Sequence, residues 1–336
     1  MSLDVDGFIV PLRKQLTIGG DPTKSVRVKG VTFRTPQRLS EFYTAWDPDE
    51  VKHCLQAAEA LGANTLRVWL PRELDDERMA SIAAFVHMVR EHGMKAYFIL
   101  HWPQLYAEEG SSGDAANLSY LGMLTAELAA DTTVFGWDLY NEADWVSDES
   151  WQWDMDRQAA AVRLSWLRRM TDMLHELDGN HLVSMGATFS YSYWVPDVPF
   201  TLESFVDIVD FHYYHRTYRS STLADEIAAC RAHSDKPIML GELGMSSDPA
   251  YKTPGEPVHN EEVQRLAYTE FVDTIRESVE CVGCIQWTLA DYGKPQKPQE
   301  EEHYGILRTD LSRKPAAEVY AEKYKVEPFL KPEHRE

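Results

Sequence analysis

Two glutamates stand at the ends of short apolar runs. Glu142 follows Gly136-Trp137-Asp138-Leu139-Tyr140-Asn141, and Glu242 sits in Gly241-Glu242-Leu243-Gly244. Other polar residues close similar runs: Arg67 in Asn64-Thr65-Leu66-Arg67-Val68-Trp69, the pair His101-Trp102, His212 and Tyr214 after Asp210-Phe211, and Trp287. Two carboxylates in different surroundings can cleave an acetal. One, held protonated, gives its proton to the leaving oxygen, while the other, held ionised, meets the oxocarbenium-like centre from the opposite side. An arginine beside a carboxylate favours the ionised form, which assigns that task to Arg67. The spacing His-x-Tyr puts His212 and Tyr214 on one face of an extended strand. Taken singly, each residue has a plainer reading. Glu142 would be a solvated surface group, Glu242 a helix cap or salt-bridge partner, Arg67 a structural ion pair, and His212 and Tyr214 satisfied core groups. Their order along successive runs favours chemistry.

Such residues work only if the chain gathers the run ends at one place. Runs rich in β-branched and aromatic residues begin near Val26, Asn64, Lys95, Val134, His181, Val206, Pro237 and Gly283, each interval leaving room for a strand, a loop and a helix. Helical patterns fill several intervals: Asp49 to Leu61 after Trp46-Asp47-Pro48, Asp76 to His92 closed by Gly93, and Ala160 to Leu177 closed by Gly179. Eight βα units predict an α/β fold, a (β/α)8 TIM barrel, and no G-x-G-x-x-G after the first strand supports a dinucleotide-binding sheet. In such a barrel the C-terminal strand ends face one mouth, and the ends of strands four and seven lie nearly opposite each other. Gly19-Gly20-Asp21-Pro22 between two short apolar runs predicts a small hairpin over residues 1–25 that plugs the barrel, within one catalytic domain of residues 1–336.

With these residues in that order, the sequence resembles the retaining glycoside hydrolases of clan A, most closely glycoside hydrolase family 5, the cellulase and β-mannanase family. The resemblance implies that Asn141-Glu142 carries the acid/base, that Glu242 is the nucleophile, and that Arg67, His212 and Tyr214 complete the catalytic set. It implies that His101 and Trp287 bind substrate. Tyr304-Gly305-Ile306-Leu307, Asp310 and Lys314-Pro315-Ala316 are similar to the family's final turn and helix. Ala143 stands where many members carry proline. The run from Gly136 to Glu142 leans towards β-1,4-mannan over β-1,4-glucan.

Ten tryptophans exceed what a core needs, and Trp102, Trp145, Trp151, Trp153 and Trp194 fall after strand ends. Their rings suit the apolar faces of sugars, and Trp102 and Trp145 are expected to bind substrate. The loop from Ala143 to Asp156 is expected to wall the cleft, with Asp144, Asp148 and Asp154 on a solvated face. Cys281 and Cys284 resemble a C-x-x-C pair but open a strand, where an offset of three sends side chains to opposite faces, so buried structural thiols are expected.

Basic residues number 33 against 54 acidic ones, a formal net charge of -21 that repels phosphate backbones and anionic headgroups, so neither nucleic acid nor membrane is an expected partner. A carbohydrate substrate is expected, with no cofactor and no metal. The start at Met1 implies a cytoplasmic protein if it is native and a secreted one if a leader has been removed. Two rival functions fit the same barrel. His101, Glu142, His212 and Glu242 could ligate a divalent ion in a sugar isomerase or epimerase, although a cationic Arg67 disfavours a metal. A non-catalytic carbohydrate-binding barrel would not require both carboxylates.

Overall fold

The computed structural model describes residues 7–35, 43, 45–146, 151–152, 157–214, 221–250, 258–292 and 302–326, with the backbone alone described at 145, 146, 151 and 152. Three short strands open the chain: β1 (Ile9–Leu12), β2 (Gln15–Ile18) and β3 (Ser25–Val26), joined as an antiparallel sheet. Gly19 and Gly20 take positive φ (59° and 75°) in the turn between β2 and β3, a conformation that a Cβ resists. Val26, placed by its sequence in the first barrel strand, instead pairs with Leu16 in this small sheet. Ile9, Leu16 and Ile18 pack against Val28, Phe135, Leu182, Ile208, Met239 and Val282, all near the starts of barrel strands. The opening sheet therefore plugs the barrel's N-terminal end.

The barrel follows in chain order: β4 (Val28–Thr32), α1 (Pro48–Ala60), β5 (Thr65–Trp69), α2 (Asp76–Glu91), β6 (Lys95–Ile99), α3 (Ser112–Leu128) and β7 (Val134–Asp138). A two-stranded ribbon, β8 (Trp145–Val146) with β9 (Trp151–Gln152), leads to α4 (Arg157–Leu177). Then come β10 (Leu182–Ser184), β11 (Val209–Tyr214), α5 (Leu223–His233), β12 (Ile238–Gly244), α6 (Glu261–Glu277), β13 (Cys281–Gln286) and α7 (Pro315–Lys323). The parallel order β10-β7-β6-β5-β4-β13-β12-β11 leaves β10 and β11 at its ends. They meet through Ala187 and Phe211: Ala187 N–H donates to Asp210 O at 3.0 Å, and His212 N–H to Ala187 O at 2.8 Å. Tyr193 splices the same seam, its hydroxyl donating to Met185 O (2.6 Å) and accepting from Asp210 N (2.8 Å). The sheet closes as a (β/α)8 barrel.

Local chemistry explains these boundaries. Asp47 caps α1 through Asp49 N and Glu50 N with Pro48 at the first helical position, and Asn260 caps α6 through Glu262 N and Val263 N. The barrel strands from β4 to β7 are buried on nearly every residue, because the plug, the barrel interior and the helices cover both faces. One interval departs from expectation. Between β10 and β11 the chain forms 3-10 turns at Ser190–Trp194 and Leu202–Ser204 in place of a helix. Cys281 and Cys284 are buried, unpaired thiols in β13, with Cys281 pushed up to about 11 by burial. Among the described residues no helix is long and apolar enough to cross a membrane.

Candidate active site

In β5 the alternation of side chains turns Leu66 and Val68 one way and Arg67 the other, into the barrel, where its side chain is fully buried. A charge there needs partners. Asp138, the last residue of β7, takes Nε (3.2 Å) and Nη2 (2.7 Å) of Arg67 on Oδ2, Asn141 Oδ1 takes Nη2 at 2.8 Å, and Glu242 Oε1 takes Nη1 at 2.5 Å. Burial alone disfavours the guanidinium, but Asp138 and Glu242 outweigh it and raise its pKa further, so Arg67 is a permanent cation.

Glu242 lies in β12, where it neighbours His212 of β11 across a bulge. Its second oxygen, Oε2, accepts the Tyr214 hydroxyl. Burial and the Glu242 charge push the Tyr214 phenol well up, so it stays a donor. His212, two residues before Tyr214 on the same strand face, puts Nδ1 2.7 Å from Glu142 Oε1 and 3.4 Å from Glu242 Oε2.

Glu142 reaches this point from an unusual backbone. Its φ is 57°, a left-handed conformation that costs a non-glycine residue about 1–2 kcal/mol, and its N–H donates to Gly186 O at 2.7 Å. Gly186, just beyond β10, must lack a side chain: a Cβ there would lie 2.6 Å from His212 Nε2 and 3.0 Å from Arg67 Nη2. One ligand atom each from Glu142, His212 and Glu242 lies within 4.8 Å of the others. The Glu142 side chain is 24% exposed and that of Glu242 5%, so the two carboxylates lie close together but differ in access to water.

The structure thus gathers Arg67, Asn141, Glu142, His212, Tyr214 and Glu242. Trp287, half-buried at the end of β13, meets Trp69 edge-on with ring centroids 5.4 Å apart, and the Trp287–Thr288 peptide is cis. His101, just past β6, is half-buried and accepts from Arg72 (3.1 and 3.3 Å) without joining the carboxylate cluster. Trp102 corrects its expected role. It is fully buried, its indole N–H donates to Leu139 O at 2.5 Å, and it packs on Trp166 and Tyr120, so its faces meet core rather than ligand. Trp194 is half-buried beside Tyr193 and His233. The side chains of Trp145 and Trp151, and all of Trp153, Asp148 and Asp154, lie outside the described residues. Asp144 is not solvated as its sequence context suggested. It is buried, accepts from Thr188 N, Phe189 N and Ser192 Oγ, and burial pushes it up to about 6.

Several contributors went unnamed in the sequence. Asp138 read as part of a strand, yet an acid inside an apolar run needs a buried partner, and that rule points to Arg67. Asp210 is wholly buried below the carboxylates. Its Oδ2 accepts from Tyr97 (2.6 Å) and Ser184 (3.2 Å), its Oδ1 has no hydrogen-bond partner, and burial followed by the nearby Asp138 charge pushes it up to about 7. Gly241 makes room for it, since a Cβ there would fall 2.1 Å from Asp210 Oδ1.

No protein-family profile matches the chain. The sequence is 25% identical over 191 residues to mannan endo-1,4-beta-mannosidase 1 of Arabidopsis thaliana, a match covering 47% of this chain and 43% of that protein. The chain therefore spans less than half the length of that curated relative. Among solved structures, a GH5_18 enzyme of Streptomyces cattleya in complex with Manβ1-4GlcNAc superimposes with a TM-score of 0.71 at 21% identity, over 88% of this chain and 79% of that one. The exo-beta-1,4-mannosidase Op5Man5 of Opitutaceae bacterium strain TAV5 gives a TM-score of 0.72 at 20% identity, over 96% and 61%. In sequence over about half its length, and in fold over nearly all of it, the chain resembles the family 5 glycoside hydrolases of clan A.

Proposed function

We propose that this protein is a retaining glycoside hydrolase acting on a β-linked oligo- or polysaccharide, with Glu142 as acid/base and Glu242 as nucleophile. The observation that carries this reading is the closeness of the two carboxylates, with an oxygen of each within 4.8 Å of the other. Retaining enzymes hold their carboxyl groups about 5–5.5 Å apart, whereas inverting ones leave about 6.5–9.5 Å for a water. On this reading, residues 1–336 form one catalytic domain with 1–25 as its plug.

The neighbours divide the labour. Glu242 is nearly buried and receives donors on both oxygens, a cation on one and a phenol on the other, which suits an ionised, aimed nucleophile. Glu142 is more exposed and touches His212, which suits a group that exchanges protons. Glu142 donates its proton to the glycosidic oxygen as Glu242 attacks the anomeric carbon; the C–O bond to the leaving group breaks and a glycosyl ester on Glu242 forms. Glu142, now a carboxylate, takes a proton from water, whose oxygen displaces Glu242 and restores both groups.

Among substrates, β-1,4-mannan ranks ahead of β-1,4-glucan, supported by the mannan-cleaving relative and by the neighbour bound to Manβ1-4GlcNAc. The second reading, a divalent-metal sugar isomerase, draws on the same Glu142, His212 and Glu242 trio. Arg67 argues against it, because its guanidinium occupies one Glu242 oxygen and reaches within 3.5 Å of His212 Nε2. The deciding experiment is a product profile on mannan, carboxymethylcellulose and aryl β-glycosides, with and without a chelator. Chelator-resistant hydrolysis supports the proposal; turnover only with added metal, or none of any glycoside, refutes it.

A further inference from the structure

Glu142 stands where no strand holds it. β7 ends at Asp138, and Glu142 lies past that end with its left-handed φ of 57°. Such a conformation persists in a non-glycine residue only where the surroundings over-determine it. One tie is its own N–H, which donates to Gly186 O at 2.7 Å. The others come from the two residues that follow. Ala143 O accepts from Arg163 Nη1 of α4 at 3.3 Å. Asp144, fully buried, accepts three donors from one segment: Thr188 N on Oδ1 at 2.9 Å, and Phe189 N and Ser192 Oγ on Oδ2 at 3.2 and 2.6 Å.

That segment is itself fixed. Ala187, just before it, bridges to Phe211 at the barrel seam, and Tyr193, just after it, bonds Met185 O and Asp210 N. Phe189 is the cap residue of the 3-10 turn Ser190–Trp194, and its ring offers the turn no acceptor. Asp144 supplies that acceptor from across the loop. Glu142 and Asp144 thus bond the same stretch, 186–192, with Ala143 between the two anchor points. Gly186 opens that stretch, its missing Cβ leaves room for His212, and His212 Nδ1 lies 2.7 Å from Glu142 Oε1. The clamp therefore sets the backbone of Glu142 against the imidazole that its side chain meets.

We infer that Asp144 is a positioning residue for the acid/base step, acting through the backbone to hold the Glu142 carboxyl where it gives a proton to the glycosidic oxygen and later takes one from water. This rests on the reading of Glu142 as acid/base and Glu242 as nucleophile. Loosening the clamp leaves the contacts of Arg67 and Tyr214 with Glu242 in place, so proton transfer suffers and nucleophilic attack does not. The loss then depends on the leaving group, because dinitrophenolate departs without a proton and phenolate needs one.

The test compares kcat/KM on a phenyl and a dinitrophenyl β-glycoside of the sugar that the enzyme hydrolyses best. The proteins are the wild type, Asp144→Ala, Asp144→Asn and Ser192→Ala, with Glu142→Ala as reference and thermal melts in parallel. In Asp144→Ala the phenyl glycoside is expected to lose at least about tenfold and the dinitrophenyl glycoside far less, the pattern of Glu142→Ala in weaker form. Asp144→Asn keeps one carbonyl acceptor and is expected to recover part of the loss. Ser192→Ala removes one of the three donors and is expected to shift the ratio less, in the same direction; these two variants decide if Asp144→Ala does not fold. An equal fall on both glycosides, or none on either, in the folded variants shows that Asp144 only caps the turn and overturns the inference. If Glu142→Ala itself falls equally on both, the acid/base assignment has failed first and the inference falls with it.

Discussion

Arg67 Nη1 lies 2.5 Å from Glu242 Oε1, and the rest of the same guanidinium is spent on Asp138 and Asn141. One buried cation thus ties the end of strand four to the end of strand seven. Because Asp138 is itself fully buried, the pair is a structural one: removing either partner leaves an uncompensated charge inside the barrel.

Tyr214→Phe separates aim from stability. It deletes the hydroxyl that Glu242 Oε2 accepts but no charge, so kcat is expected to fall at least about tenfold, the worth of roughly 1.4 kcal/mol, with little change in Tm. Arg67→Ala is expected to lower both, costing about 3–5 kcal/mol of stability because Asp138 is stranded. Steady-state kinetics with parallel thermal melts check this. An Arg67→Ala protein that melts like the wild type contradicts the paired-charge account.

Trp102→Phe tests the placement of that ring in the core. Losing the N–H donated to Leu139 O and part of the packing on Trp166 is expected to cost about 1–3 kcal/mol, with KM for oligosaccharides unchanged in the folded fraction. A raised KM at an unchanged Tm would put the ring on the sugar.

Asp210 gives a pH signature. An unfolded aspartate titrates near 3.8, while burial and the Asp138 charge hold the folded one at about 7. Between those values the folded form keeps a proton the unfolded form has lost, so stability falls as pH rises through the window and levels off above it. Arg67 opposes the shift, and Tyr97 and Ser184 hydrogen-bond the ionised form. Asp210→Asn is expected to lose that falling component, seen as a smaller drop in Tm between about pH 4.5 and about pH 7.5. Equal drops in variant and wild type would show that Asp210 is ionised throughout.

Much of this was legible in the chain. Strand starts appeared within three residues of their places, because β-branched and aromatic runs bounded by helix caps leave few alternatives; Val26 misled only because one apolar run feeds two sheets. Glu142, Glu242, Arg67, Asn141, His212 and Tyr214 were readable because each ends or lies within a run that must point at the mouth. Three features were hidden for a common reason. Trp102 followed a strand end yet turned inward, Asp144 looked solvated yet is buried, and Asp210 sat unremarked in an apolar run. In each case the deciding fact is a long-range partner, Leu139 O, Ser192 or Tyr97, which local pattern does not encode. Gly186 was silent likewise, since its need to lack a Cβ arises from His212 on the next strand.

The most direct measurement is trapping of the glycosyl-enzyme. The protein is incubated with an activated 2-deoxy-2-fluoro-β-glycoside of the sugar it hydrolyses best, and the product is digested and mapped by mass spectrometry. The account predicts one glycosyl unit esterified to the peptide containing Glu242, formed in parallel with loss of activity and absent from Glu242→Gln. An adduct on another residue, or active enzyme that never forms one and releases a product of inverted configuration, would contradict it.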